Sequence, residues 1–176
     1  MSASPNKRFV RCWTSAALLI LIALMLSGCG YHIAGKHGTM PGDITTLSIP
    51  IFTNSTSKPD IESTITQAFV NEFVNNVKID NNSSAVMKGT ITSYELKAVS
   101  YTQNDVNKEY RLTITLALSI TDGNAIIWED SGISDYEDFS VNISNVSATN
   151  EGEVAALRKI GQDIARFTKE RMLERF

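Results

Sequence analysis

Cysteine, histidine, tryptophan and proline are all scarce in this chain of 176 residues, at two, two, two and four copies. Two cysteines allow one disulfide at most. His32 and His37 stand five apart with no cysteine and no carboxylate closer than Asp43, too few ligands for a metal site. Neither histidine sits in a segment with strand or helix periodicity, and no G-x-S-x-G turn is present, so a nucleophile with a histidine base is not supported. Carboxylate pairs exist, as in Glu129-Asp130 and the run Asp135 to Asp138. Neighbours on a strand point to opposite faces, however, and cannot converge on one substrate atom. The acidic run reads as a solvated strand end. The sequence therefore points away from an enzyme.

Also missing is a hydrophobic run long enough to stay in a membrane. The one uninterrupted apolar stretch, Ala16 to Leu26, follows Lys7, Arg8 and Arg11. At ~1.5 Å per helical residue it falls short of a ~30 Å hydrocarbon core. Basic residues followed by a short apolar segment form an export signal. It ends in Leu26-Ser27-Gly28-Cys29, a leucine and two small residues before a cysteine, which is the pattern cleaved by lipoprotein signal peptidase. Residues 1–28 are thus read as a signal peptide. Cys29, the first residue of the mature chain, is read as the lipidation site, carrying S-diacylglycerol and N-palmitoyl groups. At ~0.8 kcal/mol per buried CH₂, three acyl chains hold a domain far more firmly than one. Gly30, in place of the aspartate that retains lipoprotein at the inner membrane, directs the reading to the outer membrane.

Cleavage before Cys29 removes 28 of 176 residues and leaves 148, enough for one domain with one core. It also removes three cations and leaves 13 basic residues against 19 acidic ones, a net of −6 that disfavours nucleic-acid binding. Cys12 leaves with the signal, so the mature chain has no internal disulfide. No repeat or low-complexity tract appears.

Residues 29–43, rich in glycine, read as a lipidated tether, and 44–176 as the folded domain. A first strand is predicted over Ile44 to Phe52, with Leu47, Ile49 and Ile51 on one side and Pro50 marking an edge or bulge. A helix follows from Pro59 to about Val77, its stripe being Ile61, Ile65, Phe69, Phe73 and Val77. Ala85 to Tyr101 is strand-like, and a turn spans Gln103 to Asn107. From Tyr110 to Thr121 the sequence alternates strictly, Leu112, Ile114, Leu116, Leu118 and Ile120 against Arg111, Thr113, Thr115, Ala117 and Ser119. A sheet with one dry face is implied. Asp122-Gly123-Asn124 forms a hairpin into a strand from Ala125 to about Tyr136, and Glu137 to Asn150 reads as a polar loop, with an extension of the strand at Phe139 and Val141 as the alternative. A last helix covers Glu151 to Arg175, with Val154, Leu157, Ile160, Ile164 and Phe167 as its stripe. The fold class is α+β, a two-layer sandwich of order β-α-β-β-β-α with two helices on one face of a four-stranded mixed sheet. A helical connection between the first two strands makes them parallel if adjacent, and the last three form an antiparallel meander. The uncovered face is hydroxyl-rich, with Thr113, Thr115 and Ser119 nearly free of charged neighbours. Such a face can bind a polar wall without desolvating charge.

Several segments then resemble a known family. Gly28-Cys29-Gly30-Tyr31-His32-Ile33-Ala34-Gly35, Met40-Pro41-Gly42 and Leu47-Ser48-Ile49-Pro50-Ile51-Phe52-Thr53-Asn54 are similar to the lipopolysaccharide-assembly lipoprotein family LptE, also called rare lipoprotein B. So are Pro59-Asp60-Ile61-Glu62, Glu72-Phe73, Gly89-x-Ile91-x-x-Tyr94, Glu109-Tyr110-Arg111 and Trp128, in the same order. The resemblance implies a non-enzymatic outer-membrane subunit without cofactor, plugging an LptD-type β-barrel partner, helping it assemble and contacting lipopolysaccharide. By charge, the residues to meet lipopolysaccharide phosphates are Lys97, Lys108 and Arg111; no family residue maps onto them. The competing reading is another outer-membrane lipoprotein, an adaptor or secretion-channel component sharing the I-P-x-F-x-N strand.

Replacing Cys29 by serine is expected to leave an uncleaved or mislocalised precursor whose domain still folds. Metabolic labelling with palmitate checks this, and retained label would contradict it.

Overall fold

The computed structural model describes residues 40–101, 107–141 and 145–173. The signal segment, Cys29 with both histidines, the side chain of Lys108 and most of the predicted Gln103 turn lie outside them. The elements in chain order are β1 (Thr46–Leu47), β2 (Thr53–Asn54), α1 (Ile61–Phe73), β3 (Lys78–Ile79), β4 (Ala85–Tyr101), β5 (Asn107–Asp122), β6 (Ala125–Ser140) and α2 (Val146–Leu173). One sheet has the order β2-β4-β5-β6, with β2 parallel to β4 and the other pairs antiparallel; β1 and β3 form a separate parallel pair. Both helices lie on one face, so the two-layer α+β arrangement is as predicted.

β5 is the centre of this arrangement because its alternation is unbroken. Leu112, Ile114, Leu116, Leu118 and Ile120 are buried, while Arg111, Thr113, Thr115, Ala117 and Ser119 are half-exposed on the opposite face. The strand turns into β6 at Gly123, whose φ of 56° occupies the first of the two loop residues between paired Asp122 and Ala125. Glycine takes that left-handed conformation without a Cβ clash.

β4 starts with odd-numbered residues inward, Ala85, Met87 and Ile91. An irregularity between Ile91 and Ser93 reverses this, so that Tyr94 pairs with Ile114 and Leu96 with Leu112. An extra residue in one strand has this effect because side chains alternate with period two. β6 is irregular twice, near Ile127 and between Asp130 and Ile133. It also runs past the predicted end at Tyr136: residues Glu137 to Ser140 are strand, and Phe139 is buried with its ring 6.3 Å from that of Tyr110.

The predicted first strand is divided. Ser48 bridges Val86, its N–H donating to Ala85 O and its carbonyl accepting from Met87 N, whereas Thr53 pairs with Thr90. Five residue steps on one side thus face four on the other, and Pro50, with no N–H to give, lies in the excess. Ile51, predicted to point inward, is consequently 70% exposed, and Phe52 is buried in its stead. Phe52 lies over Gly89, where an added Cβ would stand 2.5 Å from the ring.

α1 stops at Phe73 rather than Val77, and the chain then supplies β3, which the sequence pattern did not show. α2 begins at Val146, five residues before the predicted start, because the Asn145 side-chain oxygen accepts the N–H of Ala148 and caps it. Its buried side is Ala156, Leu157, Ile160, Gly161, Ile164, Ala165, Thr168, Met172 and Leu173. Val154 and Phe167, predicted on that stripe, are 50% and 40% exposed. Gly161 brings the two helices close, a Cβ there meeting Ile65 Cδ1 at 3.2 Å. Met40 and Pro41 are buried too, and Gly42 lies against Ile127, so packing reaches back past Ile44. No helix among the described residues is long and apolar enough to cross a membrane.

Gly89→Ala is expected to lower stability by about 1–3 kcal/mol, since the methyl group must displace a buried ring. The urea midpoint measures it, and an unchanged midpoint would show that Phe52 moves without cost.

Candidate partner-binding face

The face of the sheet away from the helices is built from lateral rows of paired residues. From the β5–β6 hairpin outward the rows are Val86-Thr121-Ile126, Lys88-Ser119-Glu129, Thr90-Ala117, Thr115-Ser134 with Ser93, Glu95-Thr113-Tyr136 and Lys97-Arg111-Asp138. The middle rows hold hydroxyls and no charge. Several are fixed to backbone or to one another: Thr92 Oγ1 donates to Thr115 O at 3.2 Å, Ser134 Oγ to Ile114 O at 3.1 Å, and Thr115 Oγ1 lies 3.2 Å from Ser134 Oγ. The face is therefore orderly, and its remaining lone pairs and donors point to solvent.

At the far end the charges are closed on each other. Arg111 donates through Nε and Nη2 to both carboxylate oxygens of Asp138 at 2.7 and 2.8 Å, and its guanidinium carbon sits 4.1 Å from the centre of the Tyr136 ring. The fork matches the carboxylate and the ring supports its plane. The hydrogen bond from Arg111 holds the Asp138 carboxyl below the usual carboxylate range. Lys97, directly across from Arg111, is paired with Glu95 at 3.0 Å. Two of the three cations singled out from sequence thus adjoin, but each has an acidic partner, Glu95 two residues along the same strand and Asp138 across the sheet. Asp138, read as part of a solvated strand end, is exposed, and strand pairing also puts it opposite Arg111. Glu137, in the same run, pairs with Lys159 at 2.7 Å.

A second polar group ties the covered side together. Glu153, in the second turn of α2, accepts at one oxygen from Lys58, in the loop after β2, and from the Tyr94 hydroxyl of β4. Burial first, then the adjacent carboxylate, pushes the Tyr94 hydroxyl far above its ordinary value. Burial works against ionisation of Glu153, but the hydrogen bonds from Lys58 and Tyr94 outweigh it and hold its carboxyl below the usual value. A carboxylate so engaged is a fastening between three segments and not an acid or base. Asn54 shapes the same loop, donating to Lys58 O at 2.7 Å and accepting from Thr56 N at 3.0 Å.

Where β6 is irregular a depression of about 1020 Å³ opens, bordered by Lys88, Thr90, Ser119, Glu129, Ser131 and Arg171. Arg171 is held by Asp130 at 2.5 Å. Among the described residues no group of three or more His, Cys, Asp or Glu could hold a metal.

The two-layer fold has counterparts. The model of the LptE family, described as lipopolysaccharide-assembly, matches residues 44–171. The chain belongs to the LptE family. Lipoprotein B from Nitrosomonas europaea, known from a solution structure, shares the fold at 14% identity and a TM-score of 0.53, over 82% of this chain and 90% of that one. Rare lipoprotein B from Shewanella oneidensis is 16% identical with a TM-score of 0.49, over 72% and 92%. A minor lipoprotein from Acinetobacter baumannii is 17% identical with a TM-score of 0.46, over 73% and 90%. Among curated proteins nothing matches. This LptE-family chain is thus a lipopolysaccharide-assembly lipoprotein by family.

Because the Glu153 carboxyl is depressed in the fold, its contribution is present above the unfolded value and is lost as pH falls through the folded one. Glu153→Gln is expected to cost about 1 kcal/mol at neutral pH, with the gap to wild type closing on acidification. Urea titrations at several pH values check it; a gap that persists in acid would refute the ionic fastening.

Proposed function

We propose that this LptE-family lipoprotein seats its open sheet face against the polar inner wall of an LptD-type outer-membrane β-barrel. There it supports assembly of the barrel and the passage of lipopolysaccharide to the cell surface. The observation that carries this reading is the uncharged hydroxyl middle of the face, Thr115 and Ser134 with Ser93 and Thr90, on a chain of this family. A barrel lumen is polar. Hydroxyls exchange water for wall groups without the large cost of stripping water from charge, and the charges of the outermost row are already neutralised in pairs.

In this reading residues 1–28 are the signal peptide, 29–43 the tether and 44–176 the domain. Lipid on Cys29, S-diacylglycerol with N-palmitate, anchors the protein to the periplasmic leaflet of the outer membrane. The part is non-catalytic and needs no cofactor. Lys97, Lys108 and Arg111 are the cations offered to lipopolysaccharide phosphates, Arg111 with its guanidinium plane already set by Asp138 and Tyr136.

Affinity purification of the tagged full-length protein from detergent-extracted envelopes of its own cells is expected to yield a large β-barrel in equal stoichiometry. Recovery of the chain without a barrel, or only as a ring-forming homo-oligomer, would overturn the reading.

A further inference from the structure

Charge on the open face is distributed unevenly along β5. At the far end Lys97 is closed by Glu95 and Arg111 by Asp138. In the row Lys88-Ser119-Glu129 it is not: among the described residues neither Lys88 nor Glu129 has an ion pair or a side-chain hydrogen bond, and both are exposed. Two strand spacings of ~4.8 Å put the two residues about 10 Å apart, with the Ser119 hydroxyl between them. The same row borders the depression of about 1020 Å³ opened by the irregularity of β6.

We infer that Lys88 and Glu129 form a polarity pair that sets the direction in which this face seats on its partner. The partner surface is a polypeptide wall with a protruding segment that enters the depression, carrying a carboxylate opposite Lys88 and a basic side chain opposite Glu129. This rests on the proposed seating of the face against a barrel and goes beyond it, because hydroxyls alone bind a polar wall in either sense along the sheet. Two charges of opposite sign at a fixed spacing bind in one sense and repel in the other. A second copy of the chain is the weaker fit. Turned about a two-fold axis through Ser119 it would set Lys88 against Glu129, but it would also lay depression on depression and leave a void between them. A phosphate group is disfavoured by the carboxylate in the same row.

The experiment uses the tagged full-length lipoprotein and measures the barrel recovered per chain for wild type, Lys88→Glu, Glu129→Lys and the double reversal. Both positions are exposed and unpaired, so the melting midpoint stays at the wild-type value. Each single reversal is expected to reduce the barrel recovered about ten-fold or more, and the double reversal to recover nothing, since the wall's own charges are unchanged. If a reversal lowers the melting midpoint, Lys88→Gln and Glu129→Gln replace it, with a smaller loss expected in the same direction. Wild-type recovery from the single reversals overturns the inference and leaves the proposed function standing. Rescue by the double reversal also overturns it, since the two charges then act on each other or on a second copy. Absence of the barrel from the wild-type preparation overturns the proposed function and this inference together.

Discussion

The alternation of β5 is the constraint from which the rest follows. Each of Leu112, Ile114, Leu116, Leu118 and Ile120 is worth roughly 1.5–3 kcal/mol when fully buried, and with β4 on one side and β6 on the other the strand has no edge through which to slip. A shift by one residue would put threonines against the helices and leucines in water. The register is therefore set, and with it the identity of every side chain on the opposite face. The open face is in this sense a by-product of the core: the residues that cannot be inside become the surface offered to a partner.

What was legible in the sequence divides along the same physical line. Strict period-two alternation in β5 and the four-residue spacing of Ile61, Ile65, Phe69 and Phe73 in α1 each report one face of one element, and both are seen in the structure. Departures from period were not legible. The irregularity after Ile91 reverses β4, the excess residue around Pro50 turns Ile51 out, and the extra residues of β6 near Ile127 and between Asp130 and Ile133 shift which of its side chains face the helices. In α2 the apolar residues Val154 and Phe167 suited the helical spacing, but small residues, Ala156, Gly161 and Ala165, occupy the contact where the helices approach closely. Composition alone favours the larger residue. For the candidate site, the hydroxyl character of the face was visible as Thr113, Thr115 and Ser119. The partner of Arg111 was not, because Asp138 is 27 residues away and meets it only through strand pairing, whereas Glu95 stands two residues before Lys97 on one strand face.

The two sides of the sheet use polar chemistry differently. On the covered side, Lys58, Tyr94 and Glu153 converge from a loop, a strand and a helix, and partial burial makes their interactions count for more than the same groups in water. This fastening holds the loop after β2 and the beginning of α2 onto β4. On the open side the pairs Arg111-Asp138 and Lys97-Glu95 are solvent-exposed and add little to stability. Their effect is to fix the positions of the Arg111 and Lys97 side chains at the far end of the face.

The sixteen residues of β5 have one further result. At ~3.3 Å per residue the strand is about 50 Å from end to end. The N-terminal segment packs at Ile127, beside the hairpin where β5 finishes. A contact made at the hairpin and one made at the β4–β5 end are therefore held that far apart by a single strand, and pairing on both its sides keeps the distance fixed.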